Sequence, residues 1–176
     1  MFVTLGKAKS RFRCVYMYPP LEKERSACYD GSMEMGTVKA EITLKNVHDM
    51  AYASIGSISA ADVHAVTVQA TVDTGSMGLI INEEMRERLG LGVTDRKAVR
   101  VADGRRVECA ITEPVDIYWK NRSVIEKAIV IPDAPEVLLG VRPLEGLDLM
   151  VDPVNLKLVG VHGDEWTEFV PYNSQI

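Results

Sequence analysis

Cysteines, aromatic residues and long apolar runs are all scarce in this 176-residue chain. Three cysteines, Cys14, Cys28 and Cys109, are too few and too scattered for a disulfide framework. They form no CxxC pair and imply a reducing, cytoplasmic setting. His48, His64 and His162 lie far apart without metal-ligand spacing, so neither a metal site nor a cofactor is expected. No apolar stretch approaches the roughly 18–20 residues that a membrane-spanning helix needs. Lys7, Lys9, Arg11 and Arg13 interrupt the opening segment and argue against a secretory signal. A basic surplus is also missing. With 20 Lys and Arg against 25 Asp and Glu, the net charge is −5, which speaks against nucleic-acid binding. Trp119 and Trp166 sit in different contexts and offer no base-stacking platform. There is no Gly-x-Ser-x-Gly elbow and no phosphate-binding GxxxxGK[ST] loop.

What is present reads as one globular domain with extensions. Apolar residues make up 47% and charged residues 26%, and this length buries a core without disulfide or metal staples. Residues 1–34 hold six Lys or Arg, four Asp or Glu, a Pro19-Pro20 break and no sustained periodicity. They read as an irregular extension: a tail, a removable pro-segment, or an over-long start with initiation at Met33 or Met35. From Gly36 onward the pattern changes. Val38, Ala40, Ile42 and Leu44 alternate with polar residues, as do Val66, Val68, Ala70 and Val72, and each set predicts a half-buried strand. Lys45 to Asp49 is turn-like, and a Ser- and Gly-rich loop is expected to reach about Ala61. Asn82 is a suitable N-cap for the main helix, Asn82 to Leu89, with Gly90 or Gly92 to end it. Strands return around Asp103-Gly104, a strong hairpin signal, and at Val107 to Ile111, Val115 to Lys120 and Val124 to Ile131. Val137-Leu138-Leu139 is a buried run stopped by Gly140, and Asp152 to Asn155 turns a last hairpin. Many short strands with one main helix predict an all-β fold, a small closed barrel-like domain over 35–163, followed by a polar tail, 164–176.

The strand from Val66 ends abruptly at Asp73-Thr74-Gly75-Ser76. Taken alone, this tetrapeptide is compatible with an ordinary Asx or Ser/Thr turn. It does place a carboxylate in a tight turn where Gly75 permits close backbone approach and two hydroxyls lie nearby. In its context, Ala70 to Ser76 resembles the catalytic strand and turn of the retropepsin-like aspartic proteases, microbial single-lobe type. The resemblance continues in Ala102-Asp103-Gly104-Arg105, about where that family carries its flap. It closes in Val137-Leu138-Leu139-Gly140, like the family's second hydrophobic signature, and extends through Leu144 to Pro153. Together these segments cover roughly Met35 to Gly163.

The resemblance implies a retropepsin-type (acid protease) fold and an aspartic-type endopeptidase. Asp73, Thr74, Gly75 and Ser76 would form the catalytic turn, and Ala102, Asp103 and Gly104 the substrate-binding flap. Leu138, Leu139 and Gly140 would pack beside the turn. The chemistry needs two carboxylates around one water, yet the chain has one Asp-Thr-Gly and no Asp-Ser-Gly. The resemblance therefore implies a homodimer with Asp73 from each subunit, acting on a peptide or protein substrate without metal or cofactor. The competing reading is a catalytically silent retropepsin-like dimerisation or peptide-binding module. The hairpin arms favour it, since they carry Arg100, Arg105 and Arg106 and lack a glycine-rich tip. Met77, Gly78 and Leu79 either line substrate pockets or join the core.

Overall fold

The structure, a computed structural model, describes residues 36–100, 104 and 106–163. The 1–34 extension, the 164–176 tail, and Ala102 and Asp103 of the expected flap lie outside the described residues.

The alternation in the sequence becomes paired strands. In β1 (Lys39–Asn46), Ala40, Ile42, Leu44 and Asn46 are buried while Lys39 and Glu41 are exposed. β1 pairs antiparallel with β2 (Ala65–Val72), Ile42 opposite Val68. β3 (Leu79–Ile81) is short and apolar. β4 (Val93–Arg100) and β5 (Arg106–Trp119) form the arms of the expected hairpin, with Val99 opposite Val107. At its tip Gly104 has φ +85°, a conformation that favours glycine. β6 (Arg122–Val130) pairs with β5, and β7 (Leu138–Leu139) is the buried run before Gly140.

These strands close on themselves as a ring-like sheet in the order β1-β2-β7-β3-β6-β5, with Leu44 of β1 facing Ile117 of β5 to complete the circuit. β5 is one continuous 14-residue strand where the sequence pattern implied two. Its first half pairs with β4 and its second half with β1, and the pairing with β6 shifts between Ile111 and Pro114. Fully buried Thr112 bridges this irregularity, its hydroxyl donating to Glu113 O (2.7 Å) and accepting from Ala128 N (3.1 Å). Pro114 lacks an N–H, so the shift falls where the ladder would lose a donor. Inside the ring, Ile42, Leu44, Leu79, Ile81, Ile117 and Leu139 are at most 1% exposed and anchor the core.

Among the described residues helix is spread over three short α-helices rather than concentrated in one. α2 (Glu83–Arg88) is the expected main helix, capped by Asn82 Oδ1 accepting from Met85 N at 2.9 Å. Past its end Gly90 takes φ +60°. α1 (Val47–Ser54) replaces part of the expected turn and loop, and a 3₁₀ turn at Ala60–Asp62 follows it. α1 buries no residue, so it has no amphipathic stripe to announce it. Its start depends on Asn46, only 3% exposed. Asn46 Oδ1 accepts from His48 N (2.9 Å) and Asp49 N (3.3 Å), while Nδ2 donates to Leu89 O (3.0 Å) and Gly90 O (3.3 Å). One side chain thus starts α1 and covers the carbonyls at the end of α2. α3 (Val141–Gly146) follows β7. Among the described residues no helix is long and apolar enough to cross a membrane.

β8 (Leu149–Asp152) and β9 (Lys157–Gly160) form a separate hairpin. Buried Arg122 of β6 fastens it, donating from Nη1 to Leu147 O (2.9 Å), Asp148 O (2.6 Å) and Asp148 Oδ2 (3.0 Å), and from Nη2 to Gly163 O. Asp148 also accepts from the backbone N–H of His162 at 3.2 Å, and its Oδ1 lies 2.7 Å from His162 Nδ1. Burial pushes the Asp148 carboxyl up, but the bonds to His162 and Arg122 outweigh it and hold the group below the usual carboxylate range. A carboxyl depressed in the folded state adds stability above its unfolded value and loses it as pH falls through the folded value. Asp148→Asn is therefore expected to be less stable than wild type near pH 7, the gap narrowing below about pH 4. Urea unfolding at both pH values measures this, and a gap of equal size at each would count against it.

Candidate active site

The local fold at Asp73 follows from three strands. β7 inserts between β2 and β3, parallel to the first and antiparallel to the second. Thr71 N donates to Val137 O (2.9 Å) and Asp73 N to Leu139 O (3.0 Å), so β2 stays paired up to the carboxylate. The chain then turns sharply. Ser76 N donates to Asp73 O (3.1 Å), the Ser76 hydroxyl donates to the same oxygen (3.0 Å), and Gly75 N donates to Asp73 Oδ1 (2.9 Å). The Gly75 bond orients one carboxylate oxygen.

Below the turn, the start of α3 is sewn to the loop by three backbone bonds. Gly140 N donates to Gly78 O (3.2 Å), Val141 N to Ser76 O (2.9 Å) and Arg142 N to Met77 O (3.0 Å). A Cβ at residue 140 would lie 2.6 Å from Gly78 O and 2.7 Å from both Gly78 N and Ser76 O. Glycine is required there for space, since its φ of −87° is open to any residue. Leu139 is fully buried beside it and Leu138 half-buried.

Above the turn the loop is open. Asp73 is half-buried, Thr74 and Gly75 are exposed, and Met77 is 67% exposed. Among the described residues the Thr74 side chain has no hydrogen-bond partner. Loop and hairpin face a common cavity of about 320 Å³, lined by Met77 and Gly78 on one side and by Lys97, Val99 and Ile111 of β4 and β5 on the other. Of the three residues after the turn, Met77 and Gly78 line space, whereas Leu79 is core at 0% exposure. The turn and its β7–Gly140 support come together; the flap tip at Ala102 and Asp103 lies outside the described residues. Sequence reading missed the contributions of β4, β5 and β6 to the cavity, because residues so far apart in the chain carry no shared local signal. Among the described residues no group of three or more His, Cys, Asp or Glu is placed to hold a metal ion.

Residues 58–142 match the family model described as aspartyl protease. The matched segment, about half of the chain, carries both Asp73 and Gly140. No curated protein matches the chain. Among solved structures, the chain is similar to the retroviral protease-like domain of Ddi1 from Leishmania major, with 20% identity, a TM-score of 0.48, and 81% of this chain and 100% of that one covered. It is also similar to the EIAV protease in complex with an inhibitor, with 24% identity, a TM-score of 0.38, and 45% and 75% covered.

Gly140→Ala is expected to force the loop off its seat and cost about 1–3 kcal/mol, the range for overpacking a tight site. Chemical denaturation measures this. A variant as stable as wild type would show that the contact yields easily.

Proposed function

We propose that the chain is an aspartic endopeptidase that works as a homodimer, each subunit contributing Asp73. The observation that carries this reading is the arrangement at the turn: a half-buried Asp73 oriented by Gly75 N, pinned from below through Gly140 and open above. One Asp-Thr-Gly per chain makes half a site, and a two-fold axis between two turns makes a whole one. Two carboxylates within hydrogen-bond reach cannot both ionise cheaply, so the pair shares a proton. The ionised Asp73 takes a proton from water, and the protonated one donates to the scissile carbonyl oxygen. The gem-diol then collapses as the leaving nitrogen is protonated, a general acid–base route without covalent intermediate, metal or cofactor. Gly75 N holds the carboxylate, and Ser76 holds the backbone carbonyl of Asp73. Thr74, exposed and without a side-chain partner among the described residues, reaches toward the partner's turn. The hairpin with Ala102, Asp103 and Gly104 at its tip closes over an extended peptide. Leu138, Leu139 and Gly140 support the turn from below.

In this reading the catalytic domain spans 35–163, with 1–34 and 164–176 outside it. The setting is reducing and cytoplasmic. Cys109, the free cysteine among the described residues, is buried, and burial pushes its thiol up. A catalytically silent dimerisation or peptide-binding module is the second reading. It is favoured by the hairpin tip, where one glycine is flanked by Ala102, Asp103 and Arg105.

Asp73→Asn separates the two. Wild type is expected to cleave members of a diverse peptide library between about pH 3 and 7, the range of a shared-proton pair. The variant is expected to lose at least about a hundredfold in rate while remaining dimeric by light scattering. Mixing wild type with excess variant should poison activity through mixed dimers. No cleavage of any peptide by wild type favours the silent module, and a strictly monomeric protein removes the composite site.

A further inference from the structure

The cavity beside the catalytic loop has a polarity that the active-site chemistry does not call for. Its floor is apolar, made by Val99 of β4, Ile111 of β5 and Ile129 of β6. Its rim carries three cations, Lys97, Lys127 and Arg142, against one carboxylate, Glu126. That carboxylate is already engaged, with Glu126 Oε1 3.8 Å from Arg142 Nε. Lys97 lies 3.4 Å from Asp95, a residue outside the lining. Lys127 differs from both. Its ammonium has a neutral partner, the Thr94 hydroxyl at 3.4 Å, and among the described residues it meets no carboxylate. Three separate elements deliver these cations to one opening of about 320 Å³, whose other wall is Met77 and Gly78 of the loop that bears Asp73. Arg142 is further fixed there by its own backbone bond to Met77 O, 3.0 Å.

We infer that this cavity is a specificity pocket for an acidic side chain of the bound peptide, with Lys127 as its principal counter-charge. The inference rests on the peptide-cleft reading above and adds a substrate class to it: chains with Asp or Glu close to the scissile bond. The apolar floor suits the methylenes of such a side chain, and the cationic rim its carboxylate. A basic side chain entering the same space meets like charge. Arg142 contributes less than Lys127 because Glu126 already balances it.

The test uses the full-length chain and two readouts. Peptides that differ at a single position among Glu, Gln and Lys are scanned along the positions flanking the cleaved bond. The same peptides are titrated onto the Asp73→Asn protein by fluorescence anisotropy, which needs no turnover. Wild type is expected to prefer Glu over Gln at one position by about fivefold in kcat/KM, the size of a partly exposed ion pair. The Asp73→Asn protein is expected to show the same order in binding, weakening with added salt. Lys127→Glu, placed at an exposed strand position, is expected to reverse the order so that Lys exceeds Glu, and Lys127→Gln to abolish it. Cleavage or binding without any acidic preference overturns the inference, as does a preference that Lys127→Glu leaves unchanged. Acidic preference in binding without cleavage by wild type upholds the pocket and overturns the protease reading. Absence of both cleavage and binding overturns both.

Discussion

The missing side chain at residue 140 is the constraint on which the site depends. The loop from Ser76 to Gly78 occupies the volume that any Cβ at 140 would need, and three consecutive backbone N–H groups of 140–142 bond to the carbonyls of 76–78. Each such bond contributes about 1 kcal/mol net, and their larger effect is geometric. They fix the height of the Asp73 turn over the ring, through backbone atoms that no rotamer change can relax. The buried Pro143 and Leu144 of α3 carry that fixation into the core. A carboxylate on a loop is thereby held nearly as firmly as one on a strand.

The turn has two unlike sides. Its inner side is fully bonded to β7 and α3, while its outer side shows Thr74, Gly75 and Met77 to solvent. A surface of this kind, rigid beneath and unsatisfied above, pays little ordering entropy when something docks on it. The hairpin is joined to the ring along one strand. Among the described residues β4 pairs with β5 alone, and β5 continues past the Thr112 irregularity into the ring.

Much of this architecture is legible in the chain because period-two alternation is a direct consequence of strands that bury one face. Val38 to Leu44, Val66 to Val72 and the Asp103-Gly104 turn signal all announce their elements in this way. The Asp73 turn and the Gly140 stop are legible as well, since a tight turn and a forbidden Cβ each demand particular residues. α1 is not, because its starting signal is an asparagine that equally suits a turn, and it buries nothing. The continuity of β5 is also hidden, since Pro114 looks like a break until Thr112 is seen to bridge it. The charged cavity is illegible for a different reason. Lys97, Lys127 and Arg142 are ordinary surface residues in sequence, and only the ring's closure sets them around one opening.

The order of pairing in the ring has a consequence for how the molecule comes into being. β7 is late in the chain, yet it fills the gap between two early strands, β2 and β3, and supplies the carbonyl that Asp73 N requires. A nascent chain that has emerged only through the hairpin therefore has its acid in place by sequence but nothing to mount it on. Such long-range parallel pairing also forms slowly. In the proposed protease, hydrolytic competence would arrive only after almost the whole domain has been synthesised and has closed, which would shield the unfinished polypeptide from the chemistry proposed for it.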